Sequence, residues 1–439
     1  NPVATPPRGR VALMAAIPLI EEMNSSAAGA MIAGFAGLSA EPATLARLET
    51  LGAGRQARSL AVYPASAGFD LVDELDYLSA RTIEPNIFFN PRFLAPAMPR
   101  LEDREVRLAV IRDSEANRYR LRMLLPFSIE RPPIPMAVPV LRAWSSPFGP
   151  VGTPLIDCDD PFAVVEDFLD MVARPHLKMP NVMILPDMRL DGQVAALLRA
   201  VALQRNLFFT ETNQVTRAFL QSDLDGDAYL KQSLKSHHVR EFRRLKRRLG
   251  ELGKLEYSVA RQPDDVRIGV EAFLSLEAGG WKGRERTAMV VDRFRAAFAR
   301  EAAFGLAERD MCRVHTLTLD GRIIACLIVF IENGCAYTWK TAFDETYSAF
   351  SPGTLLMIET THTHLDDPNI QMTDSCAIPD HPVMDRLWSE RRPMGTLVIG
   401  LKPDADRAAR QAAAQLNLYT GTRNMAKTVR DRLRTLLKR

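Results

Sequence analysis

The sequence predicts an α/β (α+β) fold of two similar units in tandem, each a mixed, mainly antiparallel sheet flanked by helices. Three observations carry this. A chain of 439 residues is longer than one ordinary core accommodates. Three adjoining strands in the second half are divided by Asp320-Gly321 and Asn333-Gly334, dipeptides that supply the positive φ angles of tight hairpins. The order of elements in the second half is also met again in the first.

In the second half, "LEYSVARQ" (Leu255–Gln262) alternates like a strand. Asp264–Ala278 has Val266, Val270, Phe273 and Leu274 at helical spacing, and a second helix fits Arg286–Phe304. The strands "RVHTLTL", "RIIACLIVFI" and "CAYTWKTAF" form the meander. A helix at Gly353–Leu365, a strand "IQMTDS", a helix near Val383–Glu390 and a strand "GTLVIGLK" follow. The first half repeats the order. "ARSLAVYP" is a strand, Phe69–Ser79 and Arg92–Ala97 are helical, and "EVRLAVIRD", "YRLRMLLPFSI" and "MAVPVLRAW" are strands. A helix at Pro161–Ala173, a strand "NVMILP", a helix at Gln193–Asn206 and a strand at Phe208–Gln214 complete it. The loops "FGPVGTPL" (Phe148–Leu155) and "FSPGTLL" (Phe350–Leu356) occupy equivalent places. The expected division is an N-terminal extension (1–57), a first unit (58–222), a second unit (223–402) and a basic helical tail (403–439).

The net charge of +3 hides an asymmetry. Lys231–Lys254 holds nine Lys/Arg against two Glu, and Pro403–Arg439 nine against three Asp. In "SLKSHHVREFRRLKRRLGELG" (Ser233–Gly253) the residues Val239, Phe242, Leu245, Leu249 and Leu252 recur at three- and four-residue steps. One face therefore belongs against a core, with Arg240, Arg243, Arg244, Arg247 and Arg248 on the others. No helix-turn-helix or aromatic-basic platform accompanies it, so a DNA-binding role is not expected. The five cysteines are scattered without a Cys-x-x-Cys pair, which points to a reducing, cytoplasmic setting. "RGRVALMAAIPLI" resembles a signal peptide but is interrupted by Pro18 and Glu21–Glu22, and Ala27–Ala40 is too short to span a bilayer. In the tail, Ala405, Ala408, Ala409, Ala412 and Leu416 form a small-residue stripe, and Met425, Val429 and Leu433 an apolar one. Docking on the second unit is expected, with a peripheral membrane contact as the alternative.

Three segments carry a family resemblance: "GGWKGRERTA" (Gly279–Ala288), "YTWKTAFDETYSAFSPGTLL" (Tyr337–Leu356) and "DSCAIPDHPVMDRLWSERRP" (Asp374–Pro393). With the basic helix before them, they resemble the GNAT-superfamily acetyltransferases of the CelD/FemAB type, which carry two GNAT-like domains. The resemblance runs from about Arg58 to Lys402 and implies transfer of an acyl group, acetyl above all, from acyl-CoA to an amine acceptor. That acceptor is a small molecule or a polysaccharide or peptide amine. In FemX-like relatives the donor is aminoacyl-tRNA, so tRNA is the alternative partner; a non-catalytic binding protein is the remaining one. No metal is implied.

The residues support this chemistry. A helix N-terminus presents unpaired N–H groups and partial positive charge to a pyrophosphate. The turn Ser351, Pro352, Gly353 and Thr354 is placed to do so, with Gly353 allowing close backbone approach. Of the arginines on the basic helix, Arg243 and Arg247 are available to donor phosphates. Tyr347 and Ser348 stand where the family has Arg or Gln and further glycines. Acyl transfer needs a proton acceptor and oxyanion donors. Asp344 and Tyr347 follow one of the strands flanking the donor and Asp374 ends the other, with Tyr347 placed to protonate the leaving thiolate. Asp344 as a turn residue and Asp374 as a strand-end cap are the structural alternatives. Trp281, Lys282, Trp339, Lys340 and Trp388 are candidates for substrate contact; for Trp281 the alternative is a tryptophan closing a hydrophobic edge between helices, and for Trp388 one that merely borders the last helix. "THTHLDD" invites a metal, but His362 and His364 point apart on a helix. "DLDGD" (Asp223–Asp227) lacks the Glu of a calcium loop and reads as a turn between the units.

Overall fold

Asp320-Gly321 and Asn333-Gly334 adopt positive φ angles (49° and 77°; 46° and 76°), as two-residue hairpin turns require. The structure, a computed structural model, describes residues 16–23, 57–102, 104–114, 120–131 and 137–418. Ala27–Ala40, most of the signal-like opening and the Met425, Val429, Leu433 stripe lie outside the described residues.

Among the described residues, fourteen strands join in one sheet. The first half contributes β1 (Ile20–Met23), β2 (Arg58–Pro64), β3 (Arg107–Asp113), β4 (Leu121–Glu130), β5 (Val140–Ala143), β6 (Leu155–Ile156), β7 (Val182–Arg189) and β8 (Phe209–Leu220). The second half contributes β9 (Leu255–Ala260), β10 (Cys312–Leu319), β11 (Arg322–Glu332), β12 (Cys335–Phe343), β13 (Met372–Asp374) and β14 (Glu390–Gly400). Their order is β1-β2-β3-β4-β5-β7-β14-β8-β13-β12-β11-β10-β9, with β6 on β4. The last strands of the two halves are exchanged. β14 pairs with β7 from Met394↔Arg189 to Gly400↔Val182, and with β8 from Glu390↔Phe219 to Ile399↔Phe209. β8 continues onto β13 through Thr373↔Leu220 and Asp374↔Phe219. The strand expected at Phe208–Gln214 therefore runs on to Leu220, because its far end has a partner in the other half.

The helices are α1 (Val72–Ser79), α2 (Pro91–Leu101), α3 (Pro161–Val172), α4 (Gln193–Gln204), α5 (Gly226–Ser233), α6 (Ser236–Gly250), α7 (Pro263–Gly279), α8 (Trp281–Arg284), α9 (Arg293–Ala307), α10 (Pro352–Asp366), α11 (Met384–Leu387) and α12 (406–418). On one face of the sheet the two halves share a core. Phe93 of α2 packs edge-on against Phe298 of α9, centroids 5.1 Å apart, with Phe330 and Trp339 beside them. On the other face, Val164, Phe168 and Leu198 of α3 and α4 cover the first half, and Phe242, Leu245, Leu249, Leu355 and Leu356 of α6 and α10 cover the second. The apolar stripe of the basic helix is thus buried as the spacing predicts, except that Leu252 lies beyond the helix end and is exposed. Asp225 caps α5 by accepting from the Ala228 amide at 2.8 Å, so "DLDGD" leads into a helix.

Three expectations are corrected. α12 docks Ala409, Ala412 and Ala413 on Val140, Val182 and Ile184 of the first half and on Val398 of the exchanged strand β14, so the tail packs mainly on the first half rather than on the second unit alone. The helix expected from Arg286 starts at Arg293, where the Asp292 carboxylate accepts from the Phe294 amide at 2.9 Å. The helix expected near Val383–Glu390 is a single turn, because β14 begins at Glu390 to reach its partner β8. Among the described residues, no helix is long and apolar enough to cross a membrane.

A buried carboxyl joins the halves. Glu332, at the end of β11, accepts from Asn90 Nδ2 at 2.8 Å and from the Ser79 hydroxyl, and its second oxygen has no partner. Burial raises its pKa to about 7. A folded-state pKa above the unfolded value means the folded protein binds the extra proton. Stability should therefore fall as pH rises from about 4.5 to about 7, by on the order of 3 kcal/mol. Glu332→Gln is expected to flatten that slope in urea denaturation across the window. An unchanged slope in the variant would show that Glu332 does not titrate there.

Candidate active site

β12 and β13 run parallel for three pairs, Cys335↔Met372, Ala336↔Thr373 and Tyr337↔Asp374, and then part. The Thr338 hydroxyl donates to the Ser375 carbonyl at 2.9 Å at the point of parting. Beyond it, the β12 edge facing the gap has no strand partner among the described residues. On its other edge the register with β11 slips, Lys340 facing Ile328 and Thr338 facing Val329, so Trp339 is the extra residue of a bulge. The bulge re-aims the side chains. Trp339 and Ala342 lie in the same core cluster although strict alternation would set them on opposite faces. Lys340, two residues before Ala342, shares that face.

The apex of the gap is pinned by charge. Asp374 is 2% exposed and accepts from the Cys376 amide at 2.8 Å. Arg217 of β8 lies 3.5 Å from its other oxygen and Arg189 of β7 3.9 Å. Arg189 also donates to the Tyr337 hydroxyl (3.0 Å) and the Pro85 carbonyl (2.9 Å), and the Tyr337 hydroxyl donates to Pro85 O at 2.9 Å. Five segments, around Pro85, Arg189, Arg217, Tyr337 and Asp374, thus converge where the strands part.

A one-sided turn closes the far end of β12. After a 3-10 turn at Glu345–Phe350, Ser351 takes a left-handed conformation (φ 52°) and α10 begins at Pro352. Pro352 has no N–H, and Thr354 and Leu355 donate back to the Ser351 carbonyl at 3.0 and 3.1 Å. Gly353 lies against Phe343, whose ring would be 3.2 Å from an added Cβ. Arg248 is the basic-helix arginine beside this turn, 5.8 Å over the Phe350 ring. Arg243 instead lines an apolar groove of about 180 Å³ between α5, α6 and α10, and Arg247 pairs with Glu251 at 3.6 Å.

On the opposite face lies a cluster of cations. The Lys340 ammonium sits 4.6 Å from the centroid of Phe148, which comes from the first half. The Arg295 guanidinium is 5.7 Å from the same ring. Lys282 pairs at 2.7 Å with buried Glu277, whose other oxygen accepts from the Met289 amide. Burial and repulsion from Lys282 lower the Lys340 pKa to about 8. Trp281 is half exposed at the rim, its amide donating to Glu345 at 2.6 Å.

The structure separates the remaining candidates. Asp344 caps the 3-10 turn, accepting from the Thr346 amide (3.0 Å) and hydroxyl (2.7 Å), and pairs with Arg322 at 2.7 Å. Tyr347 is half-buried on that turn. Trp388 does not reach a cleft: it is fully buried under α10, its indole donating to the Thr361 hydroxyl at 3.0 Å. Trp339 is also a packing residue, its indole donating to the Phe148 carbonyl at 2.6 Å and so fixing the first-half loop. His364 is buried on Thr373 (2.9 Å), whereas His362 faces the groove, so the two point apart as their spacing requires. Arg189, Arg217, Phe148 and Arg295 were not singled out from sequence; only the "FGPVGTPL" loop, chosen for another reason, contained one of them.

In the first half, β5 and β7 also pair in parallel, at Leu141↔Met183 and Arg142↔Ile184. There the chain itself packs the gap: Val151 and Thr153 are fully buried, and Asn86 donates to both their carbonyls at 3.1 and 2.8 Å. A Cβ on Gly152 would stand 2.1 Å from the Pro186 carbonyl oxygen.

Residues 236–375 match the family model of an acetyltransferase (GNAT) domain. Among solved structures the chain is similar to FemX, with 10% identity, 76% of this chain and 96% of that one covered, and a TM-score of 0.50. It is also similar to a conserved protein of unknown function from Bacteroides thetaiotaomicron (14% identity, 75% and 97% covered, TM-score 0.47). A tandem GNAT protein from the clavulanic acid biosynthesis pathway gives 13% identity, 78% and 99% covered, and a TM-score of 0.36. No curated protein matches the chain.

The two aspartates should differ in what they cost when removed. Asp374→Ala leaves two buried guanidiniums without their shared carboxylate and is expected to destabilise by on the order of 3 kcal/mol. Asp344→Ala removes a cap and an exposed ion pair, for about 1 kcal/mol. Chemical denaturation of both variants checks the ranking, and the reverse order would contradict it.

Proposed function

We propose that this chain, whose fold is that of the tandem GNAT-like acetyltransferases, is an N-acyltransferase that moves an acyl group from acyl-CoA directly to an amine. The observation that carries the reading is the parting of β12 from β13, with a helix N-terminus at the end of the gap and a cluster of cations on the opposite face. A thioester laid in the gap would run along the free edge of β12, its pyrophosphate at Ser351–Thr354 with Arg248 alongside. Backbone N–H groups on that edge, aimed by the bulge, supply the oxyanion donors. The amine nitrogen attacks the thioester carbon, the C–S bond breaks, and CoA leaves as a thiolate. Tyr347, on the turn beside the gap, protonates it, and the proton lost by the amine passes through water to restore the Tyr347 hydroxyl, so that amine and thioester give amide and free thiol. Asp374 and Asp344 serve in this reading as anchors of the gap and of the turn. The first half, whose own gap is packed with chain, holds no donor and shapes the acceptor side.

Aminoacyl-tRNA is the second reading, favoured by the exposed arginine face of α6 that ends beside the donor turn. Calorimetry with free CoA, acetyl-CoA and longer acyl-CoAs separates the two. Acyl-CoA should bind the unaltered protein, and Gly353→Asp and Thr354→Asp should each weaken it at least about tenfold by placing a carboxylate at the phosphate turn. Binding of aminoacyl-tRNA with no response to any CoA would transfer the assignment to the second reading. Tyr347→Phe should lower kcat roughly a hundredfold while leaving acyl-CoA affinity near its starting value.

A further inference from the structure

The cluster around Phe148 holds a cation that the protein leaves without an ion-pair partner. Lys340 is half-buried, and among the described residues no carboxylate comes within ion-pair distance of its ammonium. Glu277, whose field it feels, is committed to Lys282 and to the Met289 amide. Cys376 is no substitute: its thiol is pushed well above its ordinary value by burial and stays neutral. The other cations facing Lys340 are Lys282, held by Glu277, and Arg295, whose Nε lies 3.4 Å from the half-exposed carboxylate of Asp292, so three cations stand against two carboxylates. What the protein provides is the ring of Phe148, approached by Lys340 and Arg295. An aromatic face attracts a cation less strongly than a buried carboxylate does, so the site retains positive potential.

Phe148 is held in place for this. Its carbonyl accepts from the Trp339 indole, and two residues on, the Pro150 carbonyl accepts both terminal nitrogens of Arg217 at 3.0 and 3.1 Å. The first half thereby supplies the aromatic ring of a cluster whose cations come from β12, α8 and α9. Resting on the acyltransferase reading above, we infer that the acceptor carries an oxyanion, a carboxylate or a phosphate, near its amine, and that Lys340 and Arg295, gathered on Phe148 beside Lys282, receive it. The negative group would seat the acceptor with its amine turned toward the gap. The cations, already gathered by the aromatic ring, need little rearrangement to bind it.

The test reads Lys340 itself. Reductively ¹³C-methylated protein is titrated with pH by NMR, with inorganic phosphate and with acetate as probes, and the Lys340 signal is assigned by its loss in Lys340→Met. Without an anion the midpoint should lie near 8. Phosphate should raise it saturably by about one unit, because a bound anion favours the ammonium. Acetate should raise it as well if a carboxylate is accepted, and a response to phosphate alone narrows the class to phosphate. Arg295→Met should raise the phosphate concentration for half-saturation at least about fivefold. In calorimetry, Lys340→Arg should retain phosphate binding that Lys340→Met loses. A Lys340 midpoint unmoved by either anion, or moved equally with Arg295 removed, overturns the inference. Acyl-CoA calorimetry on the same samples keeps the two ideas apart, since failure of the donor to bind leaves the Lys340 response readable.

Discussion

The exchange of β8 and β14 is the constraint on which the rest of the structure depends. Each strand pairs along most of its length with the other, and each then completes a sheet in the half that did not supply it. Backbone N–H and C=O groups in the middle of a sheet cannot go unpaired without cost, so neither half can close its sheet alone. The exchange brings Arg217 on β8 and Arg189 on β7 to the carboxylate of Asp374 on β13. The apex of the gap is therefore built from both halves.

From that apex the geometry of the site follows. β13 stops at Asp374 while β12 continues, and a bulge turns Trp339 and Lys340 toward one face. Trp339 is spent on fixing the Phe148 loop, leaving Lys340 against the Phe148 ring. The same parting of strands recurs in the first half, where buried Val151 and Thr153 fill it. Two copies of one arrangement thus serve different ends: one gap stays open toward a turn, and the other is packed and extends a loop into its neighbour.

Much of the fold was legible from sequence where the cause is local. The hairpin dipeptides set the meander, and the apolar stripe of the arginine-rich helix identified it as a packed element. The site was legible less evenly. Ser351, Gly353 and Thr354 lie at a helix N-terminus, as the turn composition indicated. Trp388 was misread because nothing local to the segment shows that α10 lies over it and takes its indole hydrogen bond. Asp344 and Asp374 stand at strand ends, but their arginine partners come from elsewhere in the chain, and no spacing rule links them.

By itself, the sequence determined the kinds of element, their order, the repetition of that order and the positions of the tight turns, because these depend on backbone preference and periodicity over a few residues. It also carried the acyltransferase resemblance, in motifs that are continuous along the chain. Only the tertiary structure decided which strands are neighbours, which half each final strand completes, and which charged side chains are buried with a partner or without one. Those are contacts between residues far apart in sequence, such as Phe219 with Glu390 or Phe148 with Lys340, and they exist only once the whole sheet has closed.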